Sequence, residues 1–253
     1  KKIYRLSVDS SARALLEAFD APFELDGHWL ELTASIGVTL CPRDGRSVDE
    51  LVRNADAAMY SAKGSGRNRF EFYSRDLTAE VEAILSLESG LRQALAHGEF
   101  SLCYQPQVRL ADGCPSGAEA LLRWEHPERG MVPPDRFIPL AEETGLINDI
   151  GAWVLGEACR QYVAWQARGV APAVLAVNVS GVQVERGNLD RIVAEVLHET
   201  GMEPGRLELE VTETALMRNA GRAFEILDAL RCLGVGVSMD DFGTGYSSMA
   251  YLK

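Results

Sequence analysis

The amino-acid sequence predicts an α/β protein in three parts: a small α+β segment over residues 1–73, a connecting helix over 74–98 and a larger region of βα units over 99–253. Two observations carry this prediction. Strand and helix patterns alternate after Gly98, as they do in parallel βα units. A separate strand–helix–strand pattern stands before Tyr73, and 253 residues suffice for one domain and a piece of another.

The first segment shows a strand, a helix and a short strand. Residues 28–40, HWLELTASIGVTL, alternate apolar with polar or small residues, which is the period of a half-buried strand. Ser47 and Glu50 form a capping-box pattern at the start of an amphipathic helix that is expected to stop at Gly64. The short strand RFEFY closes the segment. A polar helix with one apolar side follows, and we interpret it as an interdomain helix.

Five candidate strands alternate with amphipathic helices in the larger region: Phe100–Gln105, Gly117–Trp124, Ala173–Ser180, Arg206–Thr212 and Gly234–Asp240. This order is typical of an open doubly wound sheet or of an incomplete eight-stranded barrel. No GxGxxG motif follows a first strand, which disfavours the dinucleotide-binding form of the open sheet.

Composition limits the classes of function. A formal net charge of −12 argues against a surface that binds a nucleic acid polymer by neutralising many phosphates. The five cysteines lack CxxC spacing and fall mostly in apolar patterns, so we expect reduced packing residues of a cytoplasmic protein. No apolar run approaches the roughly 18 to 20 residues of a membrane span, and no signal peptide opens the chain.

Polar residues at the ends of the predicted strands are the candidate metal ligands. Glu119, Asn178 and Glu210 lie on three different strands, and Asp240 and Asp241 end the last strand in VSMDDFGTGYSS. In a barrel such positions converge at one mouth, where these folds build active sites. Oxygen ligands without His or Cys favour Mg²⁺ or Mn²⁺ over zinc. A carboxylate that bridges two ions would make a two-metal phosphoryl-transfer site.

These residues also have ordinary structural interpretations. A lone Glu in a strand, such as Glu119, commonly faces solvent, and a lone Asn such as Asn178 commonly bonds to backbone at a strand end. Glu213 fits an acid in the first turn of a helix. Asp240 and Asp241 fit a helix cap before a glycine turn, although charges that end an apolar run are costly without a cation or donors.

Three cations are candidate phosphate contacts. Arg123 lies four residues after Glu119, so strand alternation places both on one face. A guanidinium there suits a phosphate, or an ion pair with a neighbouring Glu. Lys63 and Arg67 lie around a helix end, where they suit phosphates or complement the helix dipole.

Six motifs in order make the region from Phe100 onward similar to the EAL family of cyclic di-GMP phosphodiesterases: YQPQV, AEALLRWEHPERG, FIPLAEETGLI, VNVSGVQ, LELEVTETALM and LGVGVSMDDFGTGYSSMAYL. The preceding part resembles the C-terminal part of a GGDEF (diguanylate cyclase) domain, through APFELDGHWLELTASIGVTLCPRDG and ELVRNADAAMYSAKGSGRNRFEFY. The opening KKIYRLSVDSS matches neither well. The implied fold is part of an α+β GGDEF domain, an interdomain helix and a (β/α)8 TIM-like EAL barrel truncated after about five strands.

The resemblance implies a metal centre and a reaction. Glu119, Asn178, Glu210 and Asp240 would ligate divalent metal, two Mg²⁺ or Mn²⁺ ions in all, and Asp241 would serve the second ion or orient the attacking water. Glu119, Asp240 and Asp241 would be the catalytic residues. The implied reaction is hydrolysis of one phosphodiester bond of cyclic di-GMP to linear pGpG, in bacterial second-messenger signalling.

The resemblance also implies partners. Gln105 and Arg123 would contact cyclic di-GMP, Arg123 through a phosphate. Glu213 would anchor the loop DFGTGYSS, which in this family links the metal site to dimerisation, so a homodimer through the EAL domain is implied. Lys63 and Arg67 resemble cyclase-domain residues that hold nucleotide phosphates, which implies GTP as a second ligand.

The resemblance covers part of each family pattern. The GGDEF signature would lie before Lys1, and the KIDxSF lysine and later glutamate and glutamine motifs would lie after Lys253. We therefore expect the 253-residue chain to lack cyclase activity, to fold poorly because of an open sheet edge, and to hydrolyse negligibly. Two other functions stay open: a regulatory module that binds cyclic di-GMP or GTP without turnover, and an unrelated metal-dependent barrel lyase. Attachment of the full-length protein to the inner membrane through upstream domains also stays open.

Overall fold

The computed structural model describes residues 2–25, 28–30, 32–64, 66–212 and 220–240. The chain divides into two compact units, Lys1–Leu87 and Glu88–Lys253. The boundary falls within helix α3, Arg75–His97. No helix among the described residues is both long and apolar enough to cross a membrane.

The first unit combines helices with two small sheets. Its elements before α3 are α1 Lys2–Glu17, β1 Phe23–Leu25, β2 His28–Leu30, β3 Ser35–Val38, α2 Val48–Gly64 and β4 Arg69–Phe72.

The strand predicted over residues 28–40 is two strands with different partners. β2 pairs with β1 in an antiparallel hairpin, whereas β3 pairs with β4 in parallel. Residues 32–34 are in neither strand. The prediction of one strand was wrong because both strands have the same two-residue period, and that period carries no information about the partner.

Helix α2 begins after the predicted cap Ser47, but Glu50 bonds to the amide before Ser47 and not to that of Ser47 itself. The amide of Glu50 donates to Ser47 Oγ over 3.2 Å, and the Glu50 carboxylate accepts from the Arg46 amide over 2.8 Å. The helix lies so close to β3 that a Cβ on Gly37 would overlap the carbonyl oxygen of Ala55. A glycine is therefore required at this position of β3.

The second unit is a mixed sheet with helices. Its elements after α3 are β5 Phe100–Val108, β6 Pro115–His126, β7 Gly130–Val132, α4 Pro134–Thr144, α5 Ile147–Ala167, β8 Val174–Val179, α6 Gly181–Arg186, α7 Leu189–Thr200, a 3₁₀ turn Pro204–Arg206, β9 Leu207–Thr212, α8 Ala220–Cys232 and β10 Gly236–Asp240.

The described strands form an open sheet in the order β10-β9-β8-β6-β5, with β7 paired to β6. All five strands predicted for this region are present, and β6, β8, β9 and β10 run parallel. The first strand differs from the prediction of parallel units, since β5 is antiparallel to β6. Residues 109–114 join them, and a parallel crossover needs a dozen residues or more. This arrangement agrees with part of a barrel, and the described strands do not close.

One face of the parallel strands forms the core of this unit. The side chains of Leu175, Val177, Leu209 and Val211 are at most 2% exposed. Helix α5 contacts β8, and α7 packs against α5. The opposite face of β9 is half-buried, and Asn178 of β8 is exposed. Asn178 and Glu210 therefore lie on the opposite, less buried face of their strands.

Helix α3 is more than a linker. Leu91 and Ala94 in its second half are buried. A Cβ on Gly90 would lie 3.0 Å from His126 Nε2 and 3.4 Å from Trp124 Cζ2, so the helix approaches β6 closely. This half of α3 is an integral part of the second unit.

The cysteines differ from the packing prediction. Cys159 is buried, whereas Cys41, Cys103, Cys114 and Cys232 are exposed, and all five are free. Cysteine in an apolar pattern does not specify which face it occupies.

Candidate functional site

The register of the sheet brings the predicted residues onto neighbouring strands. Gln105 of β5 pairs with Glu119 of β6, and Asn178 of β8 pairs with Glu210 of β9. Asp240 ends β10, which lies beside β9. Five candidates from distant parts of the sequence thus occupy consecutive strands of one sheet.

Glu119 and Asn178 are in direct contact. Nδ2 of Asn178 donates to Oε1 of Glu119 over 2.7 Å. The backbone partner of Glu119 is Ala176, so the bond runs diagonally between the strands, between positions that share a face. The other carboxylate oxygen and the amide oxygen are acceptors of the kind that hard cations prefer. Glu119 is therefore half-buried and paired, unlike a lone solvent-facing glutamate.

The structure describes the remaining candidate ligands to different extents. Glu210 is half-buried between the buried residues Leu209 and Val211. Asp240 is placed by its backbone as the last residue of β10. Asp241 and Glu213 lie outside the described residues, so their predicted roles stay predictions.

Arg123 and Gln105 flank the pair on β6 and β5. Arg123 is half-buried, and its Nη1 donates to the carbonyl of Leu122 over 2.8 Å. Within the described part of the chain no ion pair joins Arg123 to a carboxylate. Its other guanidinium donors suit a phosphate. Gln105 is exposed opposite Glu119.

The turn after β8 holds residues that sequence reasoning missed. Ser180 caps α6: its Oγ accepts from the Val182 amide over 3.2 Å and donates to a carboxylate oxygen of Glu142 on α4. Gln183 completes a capping box by accepting from the Ser180 amide over 3.0 Å. The S-x-x-Q spacing could have predicted the cap. No local pattern identifies Glu142, which lies 38 residues before Ser180.

A pocket of about 340 Å³ opens beside Asn178. Most of its wall is apolar and comes from β6, α4 and α5, and such a lining with a few polar groups is typical of small-molecule sites. The polar residues that line it are Arg123, Glu142, Asn178, Ser180, Gln183 and Thr212.

Burial raises the pKa of two titratable groups of the second unit. Desolvation raises the pKa of Tyr104 to about 12, with smaller contributions from Glu157 and Cys159. Desolvation also raises the pKa of Cys159 to about 12, against the opposing charge of Arg160. The Tyr104 ring meets Trp165 edge-on, with 4.6 Å between centroids. These groups therefore suit packing and not acid–base chemistry at neutral pH.

The cations of the first unit lie around the end of α2. Lys63 is exposed in its last turn. Arg67 follows with a left-handed φ of 56°, and its amide donates to the Ala62 carbonyl over 3.1 Å. A cation in the last turn agrees with the helix-dipole interpretation, and the role in holding phosphates stays a prediction.

The donor chemistry fits a hard divalent cation. Glu119, Asn178 and Glu210 supply carboxylate and amide oxygens on neighbouring strands, as Mg²⁺ and Mn²⁺ prefer. Within the ranges that the structure describes, no group of three His, Cys, Asp or Glu residues is arranged to hold a metal. The predicted set also includes Asp241, which is outside those ranges, so the complete ligand set stays a prediction.

Two family profiles match the chain. A profile described as EAL domain matches residues 88–253, and one described as diguanylate cyclase, GGDEF domain, matches residues 4–69. The second match includes most of α1, so the opening residues belong to the matched region, contrary to the sequence-based expectation.

Curated relatives with these domains are much longer than this chain. MucR of Pseudomonas aeruginosa, named a bifunctional diguanylate cyclase/cyclic di-GMP phosphodiesterase, is 47% identical over 242 residues, which are 96% of this chain and 35% of MucR. NbdA of the same organism, named a cyclic di-GMP phosphodiesterase, is 44% identical over 96% of this chain and 31% of its own length. The chain therefore spans about a third of these relatives.

Solved structures of EAL proteins have the same fold. The PaMucR phosphodiesterase in complex with c-di-GMP is 50% identical with a TM-score of 0.63, covering 66% of this chain and 68% of that one. The Xanthomonas citri FimX EAL domain in complex with c-di-GMP is 29% identical with a TM-score of 0.58, covering 66% and 65%.

Proposed function

Because this chain belongs to the EAL domain family and carries part of a GGDEF domain ahead of it, we propose that the full-length protein hydrolyses cyclic di-GMP to linear pGpG. The contact between Glu119 and Asn178 carries the proposal, because it joins two predicted ligands that are 59 residues apart in sequence. The names of MucR and NbdA, at 47% and 44% identity, support the same activity.

Two Mg²⁺ or Mn²⁺ ions fit the proposed centre. Glu119, Asn178, Glu210 and Asp240 would hold them together with Asp241. When bound, such ions act as Lewis acids and make water a stronger nucleophile at neutral pH.

The protein's own contribution is to hold substrate and water in place. The Arg123 guanidinium would bind a phosphate of the dinucleotide, which matters in a chain with a net charge of −12. Gln105 would contact the same ligand from β5, and Asp241 would orient the water. The reaction adds one water: its oxygen bonds to phosphorus in line, the opposite ester oxygen leaves and takes up a proton, and pGpG results.

The direct test is an assay of the full-length protein with cyclic di-GMP and Mg²⁺. We expect pGpG to form, and EDTA to stop its formation. Binding of cyclic di-GMP without any pGpG would contradict hydrolysis and favour the regulatory module. The cyclic di-GMP complexes of related EAL domains make binding an informative second measurement.

Two further partners belong to the proposal. GTP would bind at the end of α2 through Lys63 and Arg67, and two copies of the protein would associate through the EAL domain. Light scattering of the full-length protein tests the dimer, since a monomeric mass at assay concentration would contradict it.

A further inference from the structure

We propose that Glu142 is a positioning residue that fixes Asn178 through Ser180. The inference rests on the proposed function, in which Asn178 is a metal ligand. Glu142 and Ser180 are not among the predicted ligands. Glu142 lies on α4, and Ser180 directly follows the last residue of β8.

The backbone links Ser180 rigidly to Asn178. One residue separates them, Val179, which is 4% exposed and pairs with Val211 of β9. Ser180 itself has the extended conformation of the strand, with φ −72° and ψ 147°. A displacement of Ser180 is therefore passed to Asn178 within two residues, with no flexible segment between them.

Helix α4 holds one side of this turn. The hydroxyl of Ser180 donates to the carboxylate of Glu142, and Glu142 is half-buried in the wall of the pocket beside Asn178. A hydrogen bond to a charged acceptor is stronger than one between neutral groups. The same hydroxyl also accepts from the Val182 amide, so its orientation is fixed at both ends.

Gln183 of α6 holds the other side. Gln183 is 6% exposed, and its Oε1 accepts from the Ser180 amide over 3.0 Å. A Cβ on Gly151 of α5 would overlap the Gln183 side-chain amide. The absence of a side chain at Gly151 therefore leaves room for Gln183 to reach the turn. Ser180, which follows β8, is held by Glu142 of α4 and by Gln183 of α6.

Groups that orient metal ligands change metal affinity or activity by about 10- to 100-fold when they are removed. Glu142 acts one bond further out, through Ser180, so we expect an effect near the lower end, about tenfold. A residue with a purely structural role would lower the thermal midpoint without a matching change in metal affinity.

The experiment measures Mn²⁺ affinity of the full-length protein by titration calorimetry, without substrate. Glu142→Ala and Ser180→Ala should each weaken binding about tenfold. The double variant should bind no more weakly than Ser180→Ala, because each single variant already loses the hydrogen bond between the two side chains. Glu142→Gln keeps an acceptor oxygen and should retain most of the affinity. Glu199→Ala, an exposed glutamate near the end of α7, is the matched control and should bind like the parent.

Ser180→Gly guards against misfolding, because glycine is tolerated as a helix N-cap while the hydroxyl is lost. It should weaken Mn²⁺ binding as Ser180→Ala does. Parent-like affinity in folded Glu142→Ala, or additive losses in the double variant, would overturn the inference alone. Absence of both Mn²⁺ binding and hydrolysis in the unsubstituted protein would overturn the proposed function and this inference with it.

Discussion

The two units gather their predicted ligand-binding residues in different ways. In the second unit, strand register places Glu119, Asn178 and Glu210 side by side although they are far apart in sequence. In the first unit, Lys63 and Arg67 are close in sequence, and their positions depend on one helix end and one left-handed residue. The site on the sheet therefore depends on many backbone contacts between strands, whereas the site at the helix end depends on only a few.

The largest expected effect comes from removing a predicted metal ligand from the sheet of the second unit. Glu119→Gln in the full-length protein should lower kcat for cyclic di-GMP about a thousand-fold, since metal-ion charge stabilisation amounts to several kcal/mol and each 1.4 kcal/mol is about a factor of ten. The assay follows pGpG formation at saturating Mg²⁺. Glu125→Gln, on the same strand and exposed, is the control and should retain parent activity. Equal activities of the two variants would contradict the proposed role of Glu119 as a metal ligand.

A smaller effect separates substrate binding from the chemical step. Arg123→Ala should raise KM about 10- to 100-fold, because hydrogen bonds of charged groups contribute roughly 1.5–3 kcal/mol. The measurement is a full substrate titration. A loss confined to kcat, with KM unchanged, would contradict phosphate binding in the ground state.

A third prediction concerns how the stability of the second unit depends on pH, because two buried titratable groups lie in that unit. Burial raises the pKa of Cys159 from 9.0 to about 12, and that of Tyr104 from 10.0 to about 12. The folded state thus keeps protons that the unfolded chain releases. This contribution to stability is complete below pH 9.0 and is lost as the pH rises toward about 12.

Urea unfolding below and above pH 9.0 measures this effect. The free energy of unfolding should fall less steeply with pH in Cys159→Ala than in the parent. Cys103→Ala, which changes an exposed thiol, is the matched control and should keep the parent slope. Identical slopes in all three proteins would show that Cys159 does not stay protonated through burial.

The smallest expected effect is in the first unit. Lys63→Ala should weaken GTP binding at most about fivefold, since exposed charge pairs contribute about 0.2–1 kcal/mol. Cyclic di-GMP hydrolysis should be unchanged. Calorimetry with GTP and the pGpG assay measure the two quantities, and a large loss of hydrolysis would show that the units do not function separately.

Much of the fold follows from sequence because the relevant signals are local. Alternation located the five strands of the second unit, and the Ser47 and Glu50 pattern located the start of α2. The direction of β5 was missed, because strand period is the same in both directions.

The site was predictable to the same extent. Glu119 and Asn178 stood out as polar residues in apolar strands, and the structure brings them into contact. Glu142 could not be found in this way, because a glutamate in an amphipathic helix has no feature that marks it as a partner of Ser180. Pairings across elements depend on three-dimensional packing, which a single sequence does not encode in any short pattern.

The hydrogen bond between Glu119 and Asn178 runs diagonally from β6 to β8. This arrangement limits where residues can be inserted or deleted during evolution. Asn178 lies two positions beyond the backbone partner of Glu119, and Asp240 lies two positions beyond Ser238, the partner of Glu210. Even steps preserve the face of a strand, whereas one inserted or deleted residue reverses it. Length differences among related proteins should therefore collect in connections such as residues 109–114. A single-residue gap inside β8 or β9 should therefore be absent from relatives that keep the proposed site.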